Sequence, residues 1–351
     1  MRKLVSVLSV LVLILALTLT GCGQKSKDKP TLKIFNAGEY IDKSLLTEFE
    51  KAYGCKIIYE TFDSNETMYT KLRSGEVYDI LVPSDYMIER LIKEDYLAEI
   101  DWNQITNKDN LNPDVMGQDF DPENKYTVPY YYGTVGILYN KKVVDKEDLT
   151  KGWKLLRNKK YAGDIYMIDS ERDSFMIALK SLGYSMNTTN EKHLKKAYNW
   201  LVKQRNTMDP VYATDEVIDN MISGNKSIAV VYSGDAAMII NENKDMDFFE
   251  PEEGTNKWTD CMVMTKDCKN TELAHEFMNF MCDADNAYIN TQYIGYNSAV
   301  TAANDMMRDH DYEGIDAYIP RTNYKKDQVF HYQKNSIRKY CSELWTKVKA
   351  Y

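Results

Sequence analysis

Residues 31–62 read TLKIFNAGEYIDKSLLTEFEKAYGCKIIYETF, in which two apolar runs flank a polar turn and an amphipathic segment. The amphipathic segment has apolar residues at the spacing of one helical face, namely Leu45, Leu46, Phe49 and Tyr53. Asp42 is typical of the start of a helix, and Gly54 is typical of its end. The sequence therefore predicts a strand at Leu32–Phe35, a helix, and a second strand at Lys56–Phe62.

The same alternation of strand and helix continues along the chain. Ser64 is a candidate N-cap of the next helix, and Tyr78–Val82 reads as a third strand before a helix capped by Ser84. Strands separated by single helices indicate βαβ units and a parallel sheet. Ligands of such sheets bind beyond the carboxyl ends of the strands, which is where residues 36–40 and 84–86 lie.

The chain is long enough for two lobes rather than one core. The extended run Val128–Tyr139 contains small residues, and we expect it to be the first crossing between the lobes. Strands are predicted again at Asp164–Ile168 and Ser227–Tyr232, and Val263 belongs to a strand that returns to the first lobe. We therefore expect lobe 1 to contain residues 31–135 and 257–300, and lobe 2 to contain residues 136–256 and 301–351.

The N-terminal segment has the features of an export signal. Arg2 and Lys3 precede an apolar and small-residue run that ends at Leu19, as in a secretory signal peptide. Residues 19–22 (LTGC) resemble the bacterial lipobox, whose Cys is lipidated. We expect a signal peptide at 1–21 and a lipidated Cys22 with a tether to residue 30, which anchors the body on the outer side of the cytoplasmic membrane. An uncleaved anchor is the alternative, although the run is short for a spanning helix of ~20 residues.

The composition argues against several kinds of site. The formal net charge is −9, and without a Lys/Arg patch an acidic chain is a poor nucleic-acid binder. It suits a receptor for cations, although net charge alone shows only solubility and steering. The six cysteines leave an odd number once Cys22 is set aside, and their spacing fits neither a zinc site nor a full disulfide framework. The four histidines are widely separated, so we expect no metal site and no cofactor.

The stretch Trp258-Thr259-Asp260 is the best single candidate for a ligand contact. It opens an alternating apolar segment, and side chains two apart on a strand share a face. Trp258 and Asp260 can therefore press an aromatic face and a carboxylate against one ligand, which suits a cation with an apolar stem. The alternative is an aromatic side chain that packs at the end of a strand beside a solvated Asp.

The segments at the strand ends together resemble the spermidine/putrescine-binding proteins of bacterial ABC importers over Leu32–Tyr351. The stretches that carry the resemblance are 35–40 (FNAGEY), 62–69 (FDSNETMY), 82–84 (VPS), 121–130 (DPENKYTVPY), 169–173 (DSERD), 232–235 (YSGD), 258–260 (WTD) and 294–296 (IGY). The resemblance implies an α/β, two-lobed fold like that of type II periplasmic binding proteins. Each lobe would be a mainly parallel sheet flanked by helices, with the ligand cleft between the lobes.

The resemblance also implies which residues contact the ligand. They are Tyr40, Ser84, Tyr86, Asp173, Tyr232, Asp235, Trp258, Asp260 and Tyr296. Asp173 and Asp260 would hold one ammonium group, Asp235 would hold another amine, Ser84 would donate or accept a hydrogen bond, and the aromatic residues would enclose the methylene groups. For Ser84 the alternative is a plain N-cap, and for Asp173 it is the preference of acidic residues for the first turn of any helix.

Two positions depart from the family pattern. Ala37 stands where an aromatic residue is common, and Ser170 stands where a carboxylate is often found. One wall and one counter-ion are therefore missing, and we expect a shift of preference toward a shorter diamine. The family has a polar ligand contact near residues 329–333, but no residue is assigned to it here.

The implied function is that of the substrate-binding component of a polyamine ABC transporter. Such a protein captures spermidine or putrescine by hinge closure and delivers it to a permease with an ATPase subunit. We expect a monomer on a lipid anchor and not an enzyme. The alternatives are a solute-binding lipoprotein for thiamine, ferric iron or a sugar, a glycosidase that uses Asp173 and Asp260, and a structural or adhesive lipoprotein. The glycosidase lacks any supporting motif.

Overall fold

The computed structural model describes residues 29–350 of the chain. The predicted signal peptide, Cys22 and most of the tether lie outside the described residues. Within residues 29–350, no helix is both long enough and apolar enough to cross a membrane.

The described strands form one mixed sheet that runs through both lobes. They are β1 (Thr31–Ala37), β2 (Lys56–Phe62), β3 (Ile80–Leu81), β4 (Thr127–Asn140), β5 (Ile165–Ile168), β6 (Val211–Ala213), β7 (Ile228–Tyr232), β8 (Met246–Phe249), β9 (Lys257–Met264) and β10 (Asn297–Ser298). Their order in the sheet is β2-β1-β3-β9-β4-β7-β5-β6, and β8 and β10 also pair with β4.

Helices cover the faces of this sheet. They are α1 (Lys43–Tyr53), α2 (Asn65–Arg73), α3 (Asp85–Lys93), α4 (Lys146–Leu149), α5 (Glu171–Ser181), α6 (Glu191–Met208), α7 (Glu216–Ile222), α8 (Ser233–Glu242), α9 (Thr271–Met281), α10 (Ala284–Ile294), α11 (Thr301–Met306) and α12 (Asn335–Ala350). Short 3₁₀ turns lie in the long connection after α3, after α4, and at Asp316–Tyr318, and a π turn follows α11.

Strand β4 connects the two lobes. Its first part, Thr127–Thr134, pairs with β9, and its second part, Val135–Tyr139, pairs with β7. The extended segment predicted at Val128–Tyr139 is therefore a strand that both lobes share. Strand β9 returns the chain to the first lobe, where Ile80 and Leu81 of β3 pair with it.

The expectation of mainly parallel sheets is correct only for the outer strands. Strand β1 is parallel to β2 and β3, and β5 is parallel to β6 and β7. Strands β4 and β9 are antiparallel to each other and to their neighbours β7 and β3. The two crossing strands run in opposite directions because β4 leaves the first lobe and β9 comes back to it.

Most of the predicted helix caps are present. A carboxylate oxygen of Asp42 accepts a hydrogen bond of 2.8 Å from the backbone N–H of Ser44, and Ser64 Oγ accepts one of 3.1 Å from Thr67 N–H. Ser84 is the exception. It occupies the N-cap position of α3 without a side-chain cap bond, and its Oγ instead accepts a hydrogen bond of 3.1 Å from Asn65 Nδ2.

Other differences from the sequence prediction concern short or polar elements. Strand β3 is shorter than the predicted Tyr78–Val82, and the Asp79 carboxylate, not a backbone group, accepts the N–H of Lys33 at 2.7 Å. The polar helices α10 and α11 were not predicted. In the tail, α12 packs against α5 and α6 of the second lobe, whereas α11 packs against α10.

Aromatic residues anchor the core of each lobe. Phe49 of α1 packs edge-to-face on Phe277 of α9, with ring centroids 5.2 Å apart. Trp153 is fully buried in the second lobe, and its Nε1–H donates a hydrogen bond of 2.9 Å to the carbonyl of Gly254. That bond holds the chain in place just before β9 enters the cleft.

Candidate ligand-binding site

A cavity of about 330 Å³ lies between the two lobes, next to the carboxyl ends of β1 and β3. Most of the predicted contact residues line it, namely Tyr40, Ser84, Tyr86, Asp173, Tyr232, Trp258, Asp260 and Tyr296. The lining comes from both lobes and from the strand that connects them. Its place agrees with the rule that ligands of such sheets bind beyond the strand ends.

Asp260, on β9, presents its carboxylate to the cavity from the first lobe. The phenol of Tyr40 donates a hydrogen bond of 2.8 Å to Asp260 Oδ2, and the backbones of Ser84 and Asp260 form an isolated antiparallel bridge. Burial raises the pKa of Asp260, while hydrogen bonds from Tyr40 and Ser84 act in the opposite direction. These donors are neutral, so they leave the negative charge of Asp260 uncompensated.

Asp173, in the first turn of α5, is the corresponding carboxylate of the second lobe. Ser170 Oγ and the Tyr232 phenol donate hydrogen bonds of 2.8 and 3.1 Å to Asp173 Oδ2. Asn256 Nδ2 donates one of 3.2 Å to Oδ1. Burial raises the pKa of Asp173, and these hydrogen bonds lower it in part. Ser170, where the family often has a carboxylate, here supports the carboxylate of Asp173.

Aromatic rings form a wall between these two carboxylates. The Trp258 ring lies edge-to-face with Tyr232 and Tyr296, at centroid distances of 6.0 and 5.5 Å. Glycines make room for the wall, since a Cβ on Gly133 would lie 2.7 Å from the Trp258 ring and one on Gly234 would overlap Tyr296. The indole N–H of Trp258 is buried without a hydrogen-bond partner, so packing alone holds this ring.

Asp235 is the one predicted contact residue that does not line the cavity. It lies in the first turn of α8, and its Oδ1 accepts a hydrogen bond of 2.8 Å from the Tyr296 phenol. Burial raises the pKa of Asp235 to about 6. The structure thus places Asp235 as a partner of a wall residue, because the Tyr296 ring lies over the start of α8 at Gly234.

Asp85 is a site residue that the sequence analysis missed. It lines the cavity, is only 1% exposed, and its Oδ2 has no hydrogen-bond partner. Its Oδ1 accepts a hydrogen bond of 2.6 Å from the neighbouring N–H of Tyr86. Burial raises the pKa of Asp85 well above its usual value. Its position directly after Ser84, at a strand-to-helix turn, was the available signal.

Arg172 and Phe330 are further lining residues that the sequence did not indicate. Arg172 is in the predicted acidic stretch 169–173, in which only Asp173 was predicted to contact the ligand. Phe330 comes from the tail segment in which no contact was assigned, and it contributes an apolar ring rather than a polar group. Only the folded chain brings this tail back to the cleft.

The described residues contain no group of three or more His, Cys, Asp or Glu side chains that could hold a metal ion. The five cysteines of this part of the chain are free thiols. The cavity therefore offers carboxylates and aromatic faces. This combination attracts a cation and buries its methylene groups at the same time.

The fold and the cavity together define a two-lobed ligand-binding protein. A family model for bacterial extracellular solute-binding proteins matches residues 44–314, and the chain belongs to this family. The polyamine-binding resemblance seen in the sequence is confirmed by its relatives, which are binding components of transport systems and not enzymes.

Two relatives and one solved structure illustrate the similarity. The chain is 34% identical over 294 residues to the spermidine/putrescine-binding periplasmic protein of Escherichia coli K12, and the alignment covers 83% of this chain and 84% of that protein. It is 30% identical over 359 residues to the putrescine-binding periplasmic protein SpuD of Pseudomonas aeruginosa, with 96% and 97% covered. The structure of the spermidine/putrescine substrate-binding protein PotD from Streptococcus pneumoniae has a TM-score of 0.78 at 35% identity, covering 92% and 99%.

Proposed function

We propose that this protein is the substrate-binding component of a polyamine ABC importer and that it binds putrescine or spermidine in the cavity between its lobes. The ligand contacts would be the eight predicted residues that line the cavity, together with Asp85. Asp235 would act through Tyr296. The names of the relatives support this choice of ligand.

The observation that carries the proposal is a pair of buried carboxylates, Asp173 and Asp260, that face one cavity and are held by neutral hydrogen-bond donors. Asp173 is 4% exposed, and its side-chain hydrogen bonds described above come from hydroxyl and amide groups, which are neutral. Asp260 is held in the same way by Tyr40. A buried unpaired charge is costly, so a ligand that brings ammonium groups removes the cost and gains charge-assisted hydrogen bonds.

The wall residues explain why the cation should be an alkyl amine. The rings of Trp258, Tyr232 and Tyr296 meet edge-to-face and leave apolar surface for methylene groups. A well-placed ring contributes about 0.5 to 2 kcal/mol to the binding of a cation. A neutral sugar would bring no positive charge, so it would leave the carboxylates of Asp173 and Asp260 without a counter-ion.

Capture would occur by closure of the lobes about β4 and β9. Contacts to both lobes exist only in the closed form, so the ligand shifts the population toward it. We assign residues 31–135 and 257–300 to lobe 1 and residues 136–256 and 301–351 to lobe 2, with α11 as a contact between them. The closed monomer would dock on the permease, which works with an ATPase subunit, while a lipid on Cys22 holds the protein at the outer side of the membrane.

A thermal-shift screen of residues 23–351 tests the proposal. Putrescine, cadaverine and spermidine should raise the melting temperature, because a ligand that binds only the folded state stabilises it by an amount that grows with the logarithm of its concentration over Kd. Thiamine, ferric citrate and simple sugars should not. Stabilisation by one of these, with none by any polyamine, would replace the proposed ligand.

A variant control shows whether the ligand uses this cavity. Asp260→Asn keeps the shape of the side chain and removes its charge, so it should reduce the polyamine shift at a fixed ligand concentration. Asp267→Asn removes one charge from an exposed turn of the same lobe and should leave the shift intact. An unchanged shift in Asp260→Asn would mean that polyamines bind elsewhere.

A further inference from the structure

Arg172 spans the cleft at one end of the ligand cavity. It belongs to α5 of the second lobe, yet its guanidinium nitrogen lies 3.2 Å from the Glu66 carboxylate on α2 of the first lobe. The guanidinium carbon is also 3.6 Å from the centroid of the Tyr86 ring. The Tyr86 phenol donates a hydrogen bond of 3.2 Å to the same carboxylate. Carboxylate, ring and guanidinium thus form one compact cluster.

In this cluster the Arg172 guanidinium occupies an environment that would also bind an ammonium group of a polyamine. A carboxylate beside an aromatic face is the arrangement that binds an ammonium group in the ligand cavity itself. Tyr86 was expected to be a wall for the ligand, but Arg172 covers a face of its ring. The protein supplies its own positive charge at this position.

The cluster also lies where two cavities meet, which share Tyr86, Ser170, Arg172 and Phe330 in their linings. Arg172 and Tyr86 line both the ligand cavity and a neighbouring cavity of about 790 Å³ that extends toward Glu66, Glu171 and the start of α12. A ligand longer than the first cavity would have to pass the guanidinium to reach the second. Its next ammonium group would meet a like charge there, which is unfavourable in a partly desolvated site.

The charges that line the ligand cavity agree with this picture. Its ionisable acids are Asp85, Asp173 and Asp260, and its one basic residue among the described lining is Arg172. Arg172 is paired with Glu66, and its positive charge also lowers in part the pKa values of Asp85 and Asp173, so it offsets some of the negative charge that this lining presents to a ligand. Glu66 lies outside this lining and is shared with Arg338, whose guanidinium is 3.8 Å away.

We infer that Arg172 determines ligand specificity: its guanidinium lies at the end of the cavity and places a positive charge there, so that the site prefers a diamine to a triamine. This inference rests on the proposed function. It also gives the expected preference for a shorter diamine a structural cause other than the changes at Ala37 and Ser170. A latch that only holds the lobes together would instead affect ligands of all lengths equally.

Calorimetric titration of putrescine and spermidine into the whole exported protein tests the inference. The wild type should bind putrescine more tightly, and in Arg172→Gln the ratio of the two Kd values should shift at least tenfold toward spermidine. Arg338→Gln is the matched control, since it removes the other guanidinium beside Glu66 but does not line the ligand cavity, and its ratio should equal that of the wild type.

Each contrary result has a distinct meaning. Equal loss of affinity for both amines in Arg172→Gln, or an unchanged ratio, would overturn the specificity role and leave only a latch. Tighter binding of spermidine by the wild type would also overturn it while leaving the proposed function standing. Failure of the wild type to bind either amine would instead sink the proposed function. If Arg172→Gln does not fold, Arg172→Met is measured in its place, and the same ratio decides.

Discussion

The phenol of Tyr40 donates a hydrogen bond of 2.8 Å to the carboxylate of Asp260, although the two residues are 220 positions apart in the chain. Tyr40 follows β1, and Asp260 lies on the strand that returns from the other lobe. The bond therefore holds a first-lobe loop on the strand through which the lobes are connected. A ligand that contacts Asp260 contacts a group whose orientation this bond already sets.

The two carboxylates should carry most of the binding energy. Asp173→Asn and Asp260→Asn should each weaken putrescine binding by about 10- to 150-fold, because a hydrogen bond to a charged group contributes about 1.5 to 3 kcal/mol. Calorimetry measures the change, and Asp267→Asn serves as the exposed control. A loss of less than twofold in both variants would show that the ammonium groups lie elsewhere.

The rings should differ in importance. Trp258→Ala should weaken polyamine binding more than Tyr40→Ala, because Ala37 leaves the Trp258 ring as the main aromatic face in this part of the cavity. About tenfold is expected for Trp258, in line with the upper range of a cation–π contact. Equal losses in the two variants, measured by calorimetry under one set of conditions, would show that Trp258 has no special role.

The Asp85 carboxylate should lower the stability of the ligand-free protein and increase its affinity for putrescine. Its buried Oδ2 lacks a partner and burial raises its pKa well above the usual value. Asp85→Asn should therefore stabilise the ligand-free protein at pH 7.5, because the amide removes a buried acidic group that lacks a partner, and weaken putrescine binding about tenfold. Denaturant unfolding and calorimetry test the two parts, and a variant that is both less stable and equally tight would contradict them.

Polyamine binding should weaken in mild acid. Burial raises the pKa values of Asp85, Asp173 and Asp260, whereas the ligand ammonium groups and Arg172 stay charged. When the pH is lowered from 7.5 to 5, protonation of these carboxylates should start at a higher pH than that of an exposed aspartate, and it removes the charge that the ligand needs. Titrations in buffers of different ionisation enthalpy should show proton release on binding at the lower pH. An affinity that is constant over this range would contradict the pKa directions.

Asp235 gives a separate prediction for the ligand-free protein. Its pKa is about 6 in the folded state and near 3.9 when unfolded, so the folded state binds the extra proton. Stability should fall as the pH rises from about 4 to 6 and then level off, with a total change of about 3 kcal/mol from this group. Asp235→Asn should remove that part of the slope in denaturant unfolding, and an unchanged slope would rule out Asp235 as its source.

The sequence predicted those residues of the candidate site that lie on or directly after a recognisable strand. Trp258 and Asp260 share a strand face by alternation alone, and Asp173 opens a helix after a predicted strand. Asp85 escaped notice because an acidic residue at the start of a helix is common in any protein. Arg172 and Phe330 were not predicted because their roles depend on contacts with distant parts of the chain. Arg172 pairs with Glu66, and Phe330 lines the cleft.

The sequence by itself determined the alternation of strands and helices and the order of the aromatic and acidic stretches, since these depend on local periodicity and capping, and its length indicated two lobes. Only the tertiary structure decided the antiparallel run of β4 and β9, the withdrawal of Asp235 behind Tyr296, and the ion pair of Arg172 with Glu66. Each of these depends on the packing of segments far apart in the chain. Desolvation and ion pairing are properties of such packing, and they set the charge that the ligand meets.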